Sequence, residues 1–402
     1  MGTIVLRMAG KSPTFRTLPT VAPVWVSEPF RLFFPLGIAA GMIGLLLWPL
    51  FYAGIWPLYP ALQHPRLLIF GFGAAFVFGF LGTAWPRFLE AEAMQRWEVI
   101  VLATFWTAAQ VACLWGEIRI SDLFAAGSFI SLLFVLGRRL FGRESPDLPP
   151  PGFALAFVSV VLAAGVALTW VIVPMEVQTP GLNTFLRLLA WQGFLLLPIL
   201  GVGSYLFGLF FQIPGQPPSH KSPRHRALVV WTVAGLILVS FVIEAFGWVR
   251  SGNGLRLSAL LIWAVGAVPG IWFQCAPNTR AWALRLGLAL MSVTFICRIL
   301  WPAQLLAFEH VLFLGGFGLV ILLTADRVVI GHCDDPGSMP AKSTAWRWIV
   351  WLMIVAAATR ATADLVPVTR ISHHIYAALT LTAVFVIWLV MHGRRMRRKP
   401  SE

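Results

Sequence analysis

Apolar runs of about twenty residues, broken by short polar clusters, recur from one end of the chain to the other. A run of that length suits a helix crossing a bilayer, because about 20 residues rising roughly 1.5 Å each cover the hydrocarbon core. The pattern predicts spans at 32–56, 67–86, 97–116, 120–137, 153–174, 188–212, 227–248, 256–275, 282–301, 307–330, 346–363 and 371–391. Only GEIR divides the third span from the fourth. The longest connections, GRRLFGRESPDLPP, IPGQPPSHKSPRHR and GHCDDPGSMPAKSTA, are rich in Pro, Gly or Ser and read as loops. None is long enough for a soluble domain. The expected fold is all-α, a polytopic membrane protein with about twelve transmembrane helices. Residues 1–30 form an N-terminal arm, 31–392 the helical domain and 393–402 a basic tail.

Within that pattern, spans two, six and ten share a layout. They read PRLLIFGFGAAFVFGF, WQGFLLLPILGVGSYLFGLF and EHVLFLGGFGLVILL, each with a polar group near one end and a Gly-containing stretch just below. A spacing of four spans is what three four-helix units would give, since membrane proteins often contain internal repeats. Apolar low-complexity sequence can imitate the same pattern. Gly71, Ala75 and Gly79 form a small-residue stripe in span two, with Gly37 and Gly41 in span one and GGFG at Gly315 to Gly318 in span ten. Such stripes let helix backbones pack closely. Alternatively, they make room for a flat cofactor.

Composition agrees with a bilayer solvent. Of 402 residues, 58% are apolar and 11% charged, and the mean hydropathy is +0.81. So few charges could not cover a water-soluble protein of this size, which ordinarily carries about 25%. The 19 Trp suit headgroup-level positions. A net charge of +14 raises the question of nucleic acid. The basic residues are spread over short loops and tails, however, so a rim facing anionic lipid explains them and no nucleic acid is expected. With the N-terminus inside, the outer side holds Arg66, Arg119, Arg187, Arg250, Arg256, Arg298, Arg360 and Arg370, and the inner side holds the rest of the 30 Lys and Arg. That bias supports twelve spans with both termini cytoplasmic. The first thirty residues contain no long apolar core ahead of a cleavage site. The four cysteines form no CxxC pair, so neither a disulfide nor a thiolate metal site is expected.

Histidine carries the candidate chemistry, because a neutral imidazole can bind a metal. His64, His310, His373 and His374 all fall near the outer ends of their spans, with Arg66, Arg298, Arg360, Arg370 and Glu309 around them. Ionisable groups at membrane depth usually face a cavity or each other. Two readings fit: a haem or metal site, or an interfacial polar belt. His332, at the inner end of span ten, stands too far along the helix to share a metal with His310. It suits a second site with Asp326 or Cys333, or a helix cap. His220, His225 and His392 read as solvated loop or anchor residues. Buried acids read as few, chiefly Glu244, with Asp364 near an outer end. No phosphate-binding loop, HExxH, GxSxG or CxxCH occurs, so any haem would be non-covalent.

Three segments resemble the NnrS family of membrane proteins associated with bacterial responses to nitric oxide. They are SEPFRLFFPLGIAAG at 27–41, QHPRLLIFGFGAAFVFGFLGTAWPRFL at 63–89 and EHVLFLGGFGLVILLTADRVVIGH at 309–332. Together with the span layout the resemblance covers nearly the whole chain. It implies an inner-membrane protein with haem, and more weakly copper, that protects bacteria from nitric oxide beside respiratory or denitrification components. Nitric oxide is then the expected ligand and the bilayer the surrounding partner; a catalytic activity is not implied. The positions carried over are His64, His310 and His332, with Gly71, Arg327 and Gly331 as motif structure. His64, His310 and His332 are the metal candidates. His64, His310, His373 and His374 are the cofactor candidates, with Arg66, Arg298 and Arg370 suited to propionates by the fork of the guanidinium. The chain departs from the family where His64 is followed by Arg66 and Leu67 rather than by a second His and Glu-Met, and where span six lacks an arginine. That makes it a divergent member. A transporter of a metal, haem or small solute, or an assembly factor for respiratory complexes, remains the alternative.

Overall fold

A computed structural model of the protein describes residues 23–143, 149–211, 223–333 and 342–398. The remainder of the N-terminal arm, parts of the three long loops including His220, and the last residues lie outside the described residues. Every element described is helical, with no strand. The principal helices are α1 (Phe30–Tyr52), α2 (Gln63–Phe88), α3 (Arg96–Leu114), α4 (Ile118–Phe141), α5 (Phe153–Ile172), α6 (Pro180–Phe210), α7 (Pro223–Ala245), α8 (Val249–Gly266), α9 (Thr279–Leu300), α10 (Leu305–Cys333), α11 (Thr344–Leu365) and α12 (Arg370–Arg397). Eleven of them are long and apolar enough to cross a membrane, and only α8 falls short.

The α8 region also corrects the expected span at 256–275. The helix starts at Val249 and stops at Gly266, ahead of Pro269. Its first turns carry Asn253, which looks like a loop residue in sequence, and Arg256, which looks like a span's outer edge, yet each is 1% exposed. They face Glu244 of α7, so a partner on the neighbouring helix, not apolarity, decides where α8 begins.

The spacing of four spans is built into the bundle. Helices α2, α6 and α10 are the centre: α10 touches both α2 and α6, and α2 and α6 are the most buried spans. Around them the neighbours repeat. α3 pairs with α4, α7 with α8 and α11 with α12; α4 then meets α5, α8 meets α9 and α12 returns to α1. Each central helix is interrupted by a π-helical stretch, at Leu67–Gly73, Leu188–Gly193 and Val311–Gly318. Such stretches disturb the helical ladder, and the carbonyls involved need donors in an apolar setting. In α2 they come from α3: Trp106 Nε1 lies 3.1 Å from the Phe70 oxygen and 3.2 Å from that of Gly71. Farther along, Trp263 of α8 donates to Leu200 of α6 at 2.8 Å, and Trp388 of α12 to Leu322 of α10 at 3.2 Å.

Small residues serve packing, as one of the two sequence readings held. Gly37 faces Ala75, and Gly79 faces Phe30. The tightest crossing is between Gly152, just before α5, and Gly201 of α6, where the backbones touch with no room for a Cβ on either.

Candidate functional site

One end of the bundle gathers histidines. The left-handed turn at Gly54 (φ +72°) follows α1 on the way back towards α2. There the lack of a side chain on Gly44 lets Leu67 approach, since a Cβ would sit 2.8 Å from that of Leu67. The same closeness brings His64 Nδ1 within 3.0 Å of the Gly44 carbonyl. His310 Nδ1 lies 2.7 Å from the Leu306 carbonyl, one turn back on α10. His374 Nδ1 meets the Tyr52 hydroxyl at 2.8 Å.

The three imidazoles come from three helices and face one another. The His64 and His310 rings are 6.5 Å apart, nearly parallel, and Trp48 of α1 bridges His64 (6.1 Å) and His374 (5.0 Å). A carbonyl can only accept, so Nδ1 of His64 and His310 carries the proton and each Nε2 keeps its lone pair. The His374 Nε2 is buried and unpartnered. His373 is not part of the group: its ring turns back to the Thr369 carbonyl at 3.1 Å, beside Tyr376. Among the described residues no set of three or more His, Cys, Asp or Glu is placed to hold one metal ion.

The arginines at this end differ in availability. Arg66 is buried and held on both sides by Asp122 of α4, at 2.8 Å each, with Trp170 under its guanidinium. Arg298 binds Glu244 at 3.2 Å and the Pro302 carbonyl. Arg360 pairs with Asp364 at 2.6 Å. Arg370 is exposed at the start of α12.

A buried polar chain that the sequence did not announce runs beside the histidines. Arg256 joins Glu244 and reaches Gln192 Oε1 at 2.7 Å, and Gln192 Nε2 donates to Glu309 at 3.0 Å. Gln192 sits inside the π stretch of α6, and the signal available in sequence was a single amide in the otherwise apolar run WQGFLLLP. The expectation of few buried acids is likewise corrected. Glu98, Asp122, Asp326 and Glu309 are buried as well as Glu244, and all of these but Glu309 are ion-paired to arginine. Such pairing is what keeps charge at this depth affordable.

The opposite end, where most of the arginines gather, holds two further clusters. His332 Nδ1 pairs with Glu28 at 3.0 Å, and Arg87 lies against the same ring with Nη1 3.0 Å from Nε2. Both ring nitrogens are therefore engaged. Arg31 binds Glu28 at 2.6 Å and reaches the carbonyls of Arg395, Met396 and Arg398, tying the start of α1 to the end of α12. Burial pushes the Glu28 carboxyl up, but the hydrogen bonds from His332 and Arg31 outweigh it and hold it at about 2. The second cluster centres on Asp326, which takes Arg280 at 2.6 Å, Trp346 Nε1 at 3.0 Å and His392 Nε2 at 3.0 Å. His392 is thus fully buried, not a solvated anchor as its place before the basic tail suggested. Its acid partner lies on another helix and cannot be read from α12 alone.

The charge pattern, helix layout and motif positions above can be compared with known proteins. No curated protein matches the chain. The family model described as NnrS protein matches residues 24–399, which takes in every helix and all the clusters above. On that match over most of its length, this polytopic, all-helical membrane protein belongs to the NnrS family.

Proposed function

We propose that this protein is a haem protein of the bacterial inner membrane, with copper as a further cofactor, that acts in the response to nitric oxide. In this reading all twelve helices cross the bilayer, both termini are cytoplasmic and the histidine end faces outward. One observation supports the reading above the others. Three imidazoles from α2, α10 and α12 meet at one end, with Nδ1 tied to an oxygen and no hydrogen bond on Nε2 among the described residues. Metal-ligating histidines characteristically hold their second nitrogen in this way, which fixes the ring and raises its basicity.

The donor chemistry fits haem, whose iron takes one or two axial imidazoles, and copper, which also accepts imidazole. His64, His310 and His374 are the residues that would hold these groups. Bound haem iron would supply the position at which nitric oxide binds. The chain's own contribution is orientation and shielding. Gly44, Leu306 and Tyr52 fix the rings, and Trp48 walls two of them. Arg66, Arg298 and Arg360 already have carboxylate partners, which leaves Arg370 as the available propionate partner of the four.

The test is the optical spectrum of detergent-purified protein from haem-supplied cells, oxidised and reduced, before and after nitric oxide, with copper measured on the same sample. A near-stoichiometric Soret band that shifts with the gas and is lost in His64→Ala or His310→Ala supports the proposal. No Soret band in clean protein, or a spectrum unchanged when all three histidines are replaced, overturns it.

A further inference from the structure

At the arginine-rich end, the first turns of α9 and α11 stand side by side because both are tied to one acid. Arg280, at the second position of α9, pairs with Asp326 of α10, and Trp346, in the first turn of α11, donates to the same carboxylate. All three are 3% exposed or less, so the two helix starts are held in a fixed relation. Just outside this clamp lies an open cavity of about 650 Å³.

Its lining changes character from one side to the other. Lys342 and Arg347 stand on it, and among the described residues neither forms an ion pair. Asn278 caps α9 and Ser343 caps α11, each accepting one first-turn N–H (2.9 Å and 3.3 Å). The starts of both 22-residue helices line the cavity, so the positive ends of their dipoles add to the two side-chain charges. Trp282 closes the first turn of α9, and one to two turns farther along α11 the wall becomes Trp351 and Ile354; both indoles are at least half exposed. A cationic mouth with an aromatic and aliphatic wall below it matches a phosphodiester above an acyl chain at a membrane interface.

We propose that this cavity is a binding site for an anionic phospholipid. Its phosphate sits between Lys342 and Arg347 at the paired helix starts, and its acyl chain lies along Trp282, Trp351 and Ile354. The cavity's charge decides between occupants: a zwitterionic lipid would bring its own cation to a mouth that already holds two. The size decides against inorganic phosphate, which would fill only the mouth and leave the apolar wall uncovered. The site is remote from the histidine end and independent of any cofactor there.

The experiment uses the full-length protein, delipidated in detergent and returned to nanodiscs or titrated by native mass spectrometry. The titrants are phosphatidylglycerol, phosphatidylcholine and inorganic phosphate. Phosphatidylglycerol should bind and raise the thermal midpoint, with the other two much weaker. Lys342→Ala with Arg347→Ala should weaken phosphatidylglycerol binding roughly 10- to 30-fold, from two basic groups near the surface. Both side chains are exposed, so the fold should be unaffected. Trp351→Ala should weaken the lipid while leaving the charge unchanged. Arg394→Ala with Arg397→Ala, two cations at the same end, serve as the control and should leave binding unchanged. Equal loss in that control would show only a diffuse basic surface and overturn the site. So would equal binding of phosphatidylcholine, or of inorganic phosphate.

Discussion

Replacing Asp122 with Ala strands a charge inside the bundle, and its cost can be worked from the geometry. Arg66 and Asp122 are 3% and 2% exposed, and both contacts of the fork are 2.8 Å. Removing one member of a buried pair ordinarily costs about 3–5 kcal/mol, because the other charge remains desolvated. Arg66 would keep its bond to the Leu62 carbonyl and its place on the Trp170 ring, so the lower part of that range applies, about 3 kcal/mol. Titration with SDS in mixed micelles, followed by tryptophan fluorescence, reads this as roughly a hundredfold shift in the folding equilibrium. The double variant Arg66→Met with Asp122→Leu removes both charges and keeps the volume. It should return to wild-type stability within about 1 kcal/mol or exceed it, since such replacements are often neutral or favourable. It should also retain any haem spectrum, because Arg66 is committed to Asp122. A single variant as stable as wild type would mean the pair is hydrated. A double variant as weak as the single one would mean that the loss comes from packing and not from a stranded charge.

Three further outcomes follow from other parts of the structure. Gly201→Leu should destabilise by about 1–3 kcal/mol in the same titration through overlap with Gly152, whereas Gly165→Ala, with nothing within 4 Å, should not. The Glu28 carboxyl is lowered to about 2, so its contribution is fully present above the ordinary glutamate range and is lost as pH falls towards 2. Wild type should therefore lose stability more steeply than Glu28→Gln between about pH 4.5 and 2, and parallel curves would contradict the assignment. Tyr52→Phe removes the hydroxyl that orients His374 and should weaken copper or haem retention about 10-fold or more without changing expression. Unchanged retention would place His374 outside the cofactor site.

The helices were legible because the bilayer imposes length and apolarity on each, and most predicted spans lie within a few residues of an observed helix; the span at 188–212 in fact begins at Pro180, so the helix does carry an arginine, Arg187, in its first turns. The span at 256–275 shows the limit of that logic. Asn253 reads as loop and Arg256 as a span's outer edge because their partner, Glu244, belongs to another helix. The histidine group was legible by depth alone: His64, His310 and His374 lie at one level, and the bundle brings them together. Depth could not separate His374 from His373, since neighbours on a helix point about 100° apart and only packing chooses which faces inward. The arginine pairings were not legible. Arg66 and Asp122 are 56 residues apart, and no periodicity links them. The four-span spacing could be seen in the sequence, but the π stretches that mark its three central helices could not.

An even number of spans in each unit fixes the direction of the units. His64 and His310 meet at the starts of α2 and α10, and Gln192 in the first half of α6 meets Glu309 at the start of α10, so the three central helices all run the same way. Units related like this rotate into one another about an axis along the membrane normal. They do not invert. Carriers that rock between two faces commonly rely on inverted halves, because exchanging the conformations of two upside-down copies turns an outward opening into an inward one. Three parallel units are not related in that way, although repeats about the membrane normal also occur in carriers. What the parallel arrangement does fix is a polarity: histidines gather at the end where the central helices begin, and ion-paired arginines at the end where they finish.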